Sequence, residues 1–291
     1  MTFIALIIAL ALLQYWGSAS PVHHDDWFAE TVKTVAGWGM MPELQLAVAV
    51  LGPALLLYWV ESWLAGWFFG LPMIALMALV LLYSFGRGDF EALVNRYRAY
   101  SRQADFQAAY LFAQEELERP GEAEGCPSSP EHLHRWMKQR IIYAGFERWF
   151  GVIFYFALLG APAALAYRLL QLYCEYTEDP VQKSMVHRID YWVDWLPSRL
   201  LILAFAVTGD WVGSREQVMT SIQDLETPTG EVLSDAAHAA LGLKATVYAP
   251  DSGDNTAFAE ISDWEVGELQ SLLSRSAVAW VVVLSVLVLF L

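Results

Sequence analysis

Two aspartates and an arginine near residue 195 are the side chains of this sequence best placed to do chemistry. Asp190 and Asp194 stand four positions apart, so in a helix they share one face, with their side chains about 6 Å apart. Arg199 follows Pro197 at the edge of an apolar run, where a guanidinium that keeps its proton needs a carboxylate, a carbonyl or an anionic ligand. The proline disfavours helical geometry at Leu196, so the chain is expected to change direction there.

The acidic pair and its flanking arginines, Arg188 and Arg199, allow two interpretations. The segment is either a structural clamp that closes a helix onto its neighbours, or one wall of an anion or nucleotide pocket. Buried ion pairs hold membrane bundles together as well as binding ligands, and the clamp is favoured. No cofactor is therefore assigned, and a nucleotide is the ligand that the second interpretation would need.

Glu147 and Arg168 flank the apolar stretch that precedes this segment. The simplest expectation is that each side chain extends to water at the membrane interface. The alternative is a paired functional role. The candidate site residues, for ligand binding or for a structural clamp, are thus Glu147, Arg168, Asp190, Asp194 and Arg199.

The composition indicates a membrane protein. Hydrophobic residues make up 56% of the 291 residues and charged residues only 17%, and the mean hydropathy is +0.37. A soluble domain of this length is less apolar. Many of the 13 tryptophans stand at the ends of apolar stretches, as they do at bilayer interfaces. The lipid bilayer is therefore an expected partner, whereas the net charge of -15 argues against nucleic acid.

Apolar stretches and polar segments alternate in a way that predicts an all-α, polytopic helical membrane bundle with about four to six membrane-embedded segments. We expect a cytoplasmic helical segment and an acidic, water-facing segment beside them. The predicted segments are N-terminal membrane segments (1–85), the cytoplasmic amphipathic segment (86–148), a membrane core (149–208), the acidic segment (209–276) and a C-terminal membrane segment (277–291).

Individual stretches carry more specific expectations. Phe3 to Trp16 is apolar but short for a membrane span. The alternative interpretation is a signal peptide that is cleaved near Ser18 to Ser20, but the stretch lacks the basic residues with which a signal peptide begins. Leu44 to Val60 and Trp67 to Phe85 are expected to form a helical hairpin. Phe150 to Leu170 is expected to be a single span, and its small residues in GAPAAL allow a close helix neighbour.

Two questions of membrane topology stay open. Leu196 to Thr208 is too short to cross squarely, so we expect a tilted or re-entrant piece, and whether it crosses stays open. Lysines and arginines concentrate between Arg87 and Arg148, which places the central segment in the cytoplasm by the positive-inside rule. The side of the 209–276 segment is not determined.

Motifs for familiar chemistry are missing from the sequence. It contains no GxxxxGK[ST], GxGxxG, HExxH or GxSxG pattern, so whether it is an enzyme stays uncertain, leaning towards no. The run from His23 to Asp26 is the one cluster with ligand chemistry, but adjacent helical residues face different ways, and a solvated loop is favoured over a metal site. Cys126 and Cys174 are expected to be thiols without a disulfide partner.

At this point a family resemblance can be stated. The segments RIDYWVDWLPSRL, FERWFGVIFYFALLGAPAALAYRL and LLSRSAVAWVVVLSVLVL, with Gly125 and Cys126, resemble AmpE, an inner-membrane protein family associated with β-lactamase induction in Gram-negative bacteria. The most specific part is D-W-x-P-x-R-L, from Asp194 to Leu200. The resemblance implies a multi-pass regulator or sensor in the bacterial inner membrane, linking cell-envelope or β-lactam stress to an unknown protein partner.

AmpE is in turn similar to the cobalamin-biosynthesis membrane ligases of the CbiB/CobD type. This chain keeps Tyr167, Arg168, Asp190, Pro197 and Arg199 of their pattern. It departs from that pattern where Gln171 and Cys174 replace an asparagine and an aspartate, and where a G-R-D-T element is missing. The alternative hypothesis is therefore a ligase-like membrane protein that binds a nucleotide or phosphate ligand beside Arg168 and Arg199, with the ligase reaction lost.

Overall fold

A computed structural model describes residues 2–16, 22–117, 126–127, 129–242 and 255–290, and within these ranges every regular element is helical. The prediction of an all-α fold is confirmed. The helices are α1 (Thr2–Trp16), α2 (Asp26–Ala36), α3 (Pro42–Leu64), α4 (Leu71–Ser84), α5 (Phe90–Arg102), α6 (Phe106–Leu117), α7 (Pro130–Gly145), α8 (Gly151–Leu159), α9 (Ala161–Tyr176), α10 (Pro180–Thr208), α11 (Trp211–Gln223), α12 (Thr229–Ala240) and α13 (Asn255–Phe290).

Three helical stretches among the described residues are long and apolar enough to cross a membrane: Pro42–Leu64, Pro130–Leu159 and Ala259–Val286. Two shorter apolar helices, Thr2–Tyr15 and Phe68–Ser84, accompany them. A bilayer core of about 30 Å requires about 20 residues of helix, which these three stretches supply. The chain is therefore a helical membrane protein, as its composition predicts.

The chain folds into two compact units, each built from segments distant in sequence. The first unit comprises Met1–Gly88, Glu147–Pro197 and Val283–Leu291, and the second comprises Asp89–Phe146 and Ser198–Val282. The five segments predicted from the sequence follow hydropathy along the chain, whereas the units follow spatial contact. Each unit is described separately below.

Helix α9 is the centre of the first unit, since it packs against α3, α4 and α8. Leu169 and Leu172 of α9 are almost completely enclosed. Helix α1 packs against α4, and its Ala5 and Ala9 are completely buried. The short turn at Phe68–Gly70 joins α3 to α4, which confirms the predicted pair of helices.

The expectation of one span from Phe150 to Leu170 is wrong, because the helix ends at Leu159 and a new one begins at Ala161. Gly160 between them has φ +86° and ψ −172°, a conformation almost confined to glycine. Pro162 then occupies the first turn of α9, where its missing amide proton costs nothing. Helices α8 and α9 therefore fold back on each other, with Tyr155 stacked on Tyr167 at 5.3 Å between ring centroids.

One other expected break is absent. Helix α10 continues through Pro197 to Thr208, so the predicted departure from helical geometry at Leu196 is wrong. Proline lacks an amide proton but fits inside membrane helices when neighbouring groups satisfy the carbonyl that it leaves. Helix α13 likewise joins the end of the acidic segment to the C-terminal apolar segment without interruption. Residues 18–20, where the alternative cleavage site is predicted, lie outside the described residues.

The second unit contains the predicted amphipathic helices. Helix α5 buries Phe90, Val94 and Tyr97 on one face, and Asp89 caps it by accepting a 3.0 Å hydrogen bond from the amide of Ala92. Helix α5 packs against α6 and α7, and α12 packs against α7 and α11. Helix α7 begins after Ser129, which is its N-cap. The amphipathic pattern thus marks packing within this unit.

The contact between α8 and α9 can be tested at Gly151. A methyl group at this position would overlap the ring and hydroxyl of Tyr167. We expect Gly151→Ala to lower the melting temperature of the detergent-purified protein, with an overpacking cost of about 1 to 3 kcal/mol. Gly52→Ala in α3 is the matched control, because nothing lies within 4 Å of its added methyl group. Equal melting temperatures for the two variants would contradict the described contact.

Candidate functional site

Arg168 and Glu147 form a buried pair in the first unit. Arg168 is 4% exposed and Glu147 is 7% exposed, so the expectation that both extend to water is wrong. Arg168 Nε donates to the carbonyl of Ser84 at 2.7 Å, and Nη2 donates to the carbonyl of Glu147 at 3.2 Å. Arg168 Nη1 also lies 3.7 Å from the Glu147 carboxylate. The guanidinium is therefore satisfied by protein groups, as a buried charge must be.

The local helix geometry explains these contacts. Ser84 ends α4, and its carbonyl belongs to the last turn, where carbonyls lack partners within the helix. Glu147 lies in a π-helical turn, Phe146–Phe150, of the kind that often occurs at functional sites. The next residue, Arg148, donates to the carbonyl of Gly88 at 2.7 Å and to that of Arg87. Two arginines thus hold the segment that follows α4.

Asp25 and Arg87 form a second polar cluster in the first unit, which the sequence analysis did not predict. Arg87 Nε donates to Asp25 Oδ2 at 2.7 Å, and the hydroxyl of Tyr83 donates to Asp25 Oδ1 at 2.7 Å. Burial raises the pKa of Asp25, but the hydrogen bonds from Arg87 and Tyr83 outweigh it and leave this pKa below its usual value. The expectation of a solvated loop at His23 to Asp26 is thus partly wrong, because Asp25 forms an ion pair with Arg87.

The histidine of this cluster is also held in place. A ring nitrogen of His23 lies 3.2 Å from the carbonyl of Leu82. Burial, together with the charge of Arg87, lowers the pKa of His23 to about 4. Among the described residues, no group of three histidine, cysteine, aspartate or glutamate side chains is arranged to hold a metal ion.

The acidic pair lies on α10, with the predicted spacing on one helix. Asp194 is 1% exposed and accepts a 2.8 Å hydrogen bond from the hydroxyl of Tyr167. Asp190 is half-buried one turn earlier. The hydroxyl of Tyr155 donates to the carbonyl of Val193 at 2.8 Å. Two stacked tyrosines from α8 and α9 therefore hold α10.

Arg199 belongs to the second unit and is 4% exposed. Its Nη2 donates to the carbonyl of Asp224 at 2.7 Å, and its Nη1 donates to Ser198 Oγ at 3.2 Å. Hydrogen bonds from Thr227 and Glu226, with the charge of Arg199 as a smaller cause, lower the pKa of the Asp224 carboxyl to about 2. An arginine at this position was expected to need a carboxylate, a carbonyl or an anionic ligand. The structure provides a backbone carbonyl, that of Asp224.

A buried network of four side chains lies in the second unit, and sequence reasoning missed it. Lys138 Nζ donates to Glu265 Oε2 at 2.6 Å, and His134 Nε2 lies 3.0 Å from the same oxygen. With Nε2 donating, His134 Nδ1 is the acceptor for the hydroxyl of Tyr97, which lies 3.0 Å away. The spacing of His134 and Lys138, one helical turn apart, is the signal that could have suggested a shared partner.

The basic central segment is partly neutralised by α13. Arg98 and Arg102 reach the carboxylate of Asp263 at 2.7 and 2.9 Å. The two arginines stand one turn apart on α5, so they share a face and can meet the same carboxylate. Arg96 and Arg135 remain exposed. Part of the basic run is therefore paired within the protein, and part of it is exposed.

The two positions that depart from the ligase-type pattern lie on α9 in the first unit. Gln171 is 6% exposed, and neither atom of its amide group has a hydrogen-bond partner among the described residues. Cys174 Sγ lies 3.5 Å from His187 Nε2. Neither Cys126 nor Cys174 forms a disulfide, as predicted.

An apolar groove with a volume of about 670 Å³ runs beside Tyr167 in the first unit. One wall is α3, from Glu43 to Tyr58, and the other walls come from α8, α9 and α10. Tyr155, Tyr167 and Val193 line the groove and also take part in the hydrogen bonds that hold α10. The groove and the buried polar contacts thus share one set of helices.

These features define an all-α membrane protein in which several charged groups are buried and paired. The model of the family described as "Regulatory signalling modulator protein AmpE" matches residues 1–250, and the chain belongs to the AmpE family. The match includes all five predicted site residues, whereas Glu265 lies beyond it. Comparison with curated proteins and with solved structures found no match.

Arg168 provides the sharpest test of the first cluster. Arg168→Met leaves the Glu147 carboxylate buried without its arginine, and we expect a destabilisation of about 3 to 5 kcal/mol. The measurement is the melting temperature in mild detergent. Arg188→Met is the control, because Arg188 is an exposed arginine on α10, and we expect less than about 0.5 kcal/mol from it. A wild-type melting temperature for Arg168→Met would contradict the clamp.

His238 on α12 predicts a pH dependence in the second unit. Burial, and then the charge of Lys138, lower its pKa from 6.5 to about 4. Because the unfolded chain binds the proton more readily, stability is complete above pH 6.5 and falls as the pH drops towards 4. At pH 5 we expect a loss of about 2 kcal/mol from this residue.

The measurement is the melting temperature at pH 7 and at pH 5 for the wild type and His238→Gln. The variant is expected to lose less stability on acidification. His24→Gln, which alters an exposed histidine, should behave like the wild type. If His238→Gln and the wild type lose the same amount, the buried neutral histidine is not the cause.

Proposed function

We propose that this protein is a regulator or sensor in the bacterial inner membrane that links β-lactam or cell-envelope stress to β-lactamase induction. The observation that carries the proposal is the family match over residues 1–250, whose description is that of a regulatory signalling modulator. The apolar helices support a membrane location. Several long apolar helices support a multi-pass arrangement, and the concentration of lysine and arginine between Arg87 and Arg148 supports a cytoplasmic location for the central segment.

The buried arginines favour a structural role over nucleotide binding. Arg168 and Arg199 both donate to backbone carbonyls, at 2.7 Å in each case, and both are 4% exposed. A phosphate would have to displace these bonds and would reach groups that water hardly touches. A non-enzymatic function is therefore the better supported hypothesis.

The surface that would contact a cytoplasmic partner is the exposed basic side of α5 and α7. Arg96 is 58% exposed, and its carboxylate neighbour Glu116 lies 3.9 Å away on the surface, a pair of little energetic value. Arg135 is exposed near the start of α7, and the 30 residues of Pro130–Leu159 exceed the roughly 20 that a span requires, so these first turns can extend beyond the bilayer. Exposed cations of this kind guide association with an acidic surface more than they stabilise the fold.

Deletion of the gene in its host tests the proposal directly. We expect β-lactamase activity induced by a β-lactam to fall to the uninduced level and to return when the wild-type gene is supplied. Undiminished induction in the deletion strain would contradict the proposal.

Charge reversal at the exposed arginines locates the surface. We expect Arg96→Glu combined with Arg135→Glu to reduce induction at least fivefold while membrane levels and the melting temperature stay unchanged. Lys33→Glu on α2 is the control, because it reverses an exposed charge outside the central segment. Stabilisation of the purified protein by ATP, GTP or a corrinoid would instead favour the ligase-like alternative.

A further inference from the structure

The groove in the first unit has the chemistry of a lipid site. Its side walls carry mainly small and aliphatic residues, among them Ala47, Ala54 and Ala166, which leave space where larger side chains would fill it. Its volume of about 670 Å³ lies within the range of sites that bind small molecules. We propose that this groove holds one acyl chain of a membrane phospholipid, whose ammonium headgroup lies at Glu43.

The polar groups at the groove favour an apolar occupant. The hydroxyl of Tyr155 donates to the carbonyl of Val193, and that of Tyr167 donates to Asp194, each at 2.8 Å. Both tyrosines therefore use their hydrogen-bond donors within the protein and present their rings to the groove. A ligand in contact with these walls gains dispersion and burial of apolar surface rather than polar bonds.

The groove is continuous with the lipid-facing side of a membrane helix. Helix α3 is long and apolar enough to span, and Leu51 and Leu55, which line the groove, are 51% and 66% exposed. In a bilayer these exposed side chains meet lipid, so an acyl chain can enter sideways without crossing water. From Glu43 to Tyr58, α3 rises about 22 Å, whereas the hydrocarbon of one leaflet is roughly 15 Å thick. The groove is therefore long enough to hold an acyl chain of one leaflet.

The negative charge of Glu43 indicates which phospholipid headgroup fits the end of the groove. Glu43 is the charged residue among those that line the groove, and it is exposed in the first turn of α3. The chain also has a net charge of -15. A carboxylate beside the end of an acyl chain favours an ethanolamine headgroup over an anionic one. An exposed ion pair supplies a preference of about two- to fivefold.

Native mass spectrometry of the protein purified in mild detergent tests the acyl-chain site. We expect one retained phospholipid in the wild type and at least a tenfold lower occupancy in Ala47→Phe, whose ring fills the groove. Val48→Phe is the matched control, because Val48 is the next residue, is similarly half-buried and does not line the groove. Ala166→Phe, which fills the groove from α9, replaces Ala47→Phe if the latter fails to fold.

Three outcomes overturn the acyl-chain assignment: a wild type that retains no lipid, equal occupancy in Ala47→Phe and Val48→Phe, or a lipid-free wild-type dimer that Ala47→Phe converts to a monomer. The last result would mean that a second copy of the chain covers the groove.

A second measurement tests the headgroup. In nanodiscs with equal amounts of phosphatidylethanolamine and phosphatidylglycerol, the retained lipid should be enriched about two- to fivefold in phosphatidylethanolamine, and Glu43→Gln should abolish this enrichment. Equal retention of the two lipids by the wild type would overturn the role of Glu43. This proposal concerns lipid binding alone, so it can fail while the regulatory function holds.

Discussion

The need to satisfy a buried guanidinium constrains the first unit more than any other interaction. Arg168 is enclosed on α9 and keeps its charge, so protein groups must replace the water that it loses. The end of α4 supplies one carbonyl, and the π-helical turn supplies a second carbonyl and a carboxylate. Two chain segments are thus tied to one helix, which also carries Tyr167 towards α10 and lines the groove.

The second unit meets the same physical requirement with a different set of residues. Glu265 accepts hydrogen bonds from Lys138 and His134, and His134 contacts Tyr97 in turn, so three helices share one buried carboxylate. A lone buried charge costs several kcal/mol, whereas a network with every member bonded can specify how helices associate. Such a paired network fixes how the helices of this unit are arranged.

Sequence patterns were reliable where they depend on local physics. Hydropathy and helical periodicity predicted an all-α membrane protein, an amphipathic helical segment that contains α5, and the shared helix of Asp190 and Asp194. The same patterns did not predict correctly where helices end at proline and glycine. Pro197 lies inside a continuous helix, whereas Gly160 divides an apolar stretch that resembles one span. Whether a proline or a glycine ends a helix depends on how neighbouring groups satisfy the freed backbone, which the local sequence does not contain.

The sequence by itself determined which side chains require partners, because an arginine or a carboxylate in an apolar stretch is costly whatever the fold. Only the tertiary structure decided who those partners are. Glu147 and Arg168 are 21 positions apart and were expected at opposite ends of one span, but the fold at Gly160 brings them together. Asp25 and Arg87, or Lys138 and Glu265, meet across still longer separations. Such pairings depend on how helices pack against one another, and the periodicity within one helix does not specify which helix it packs against.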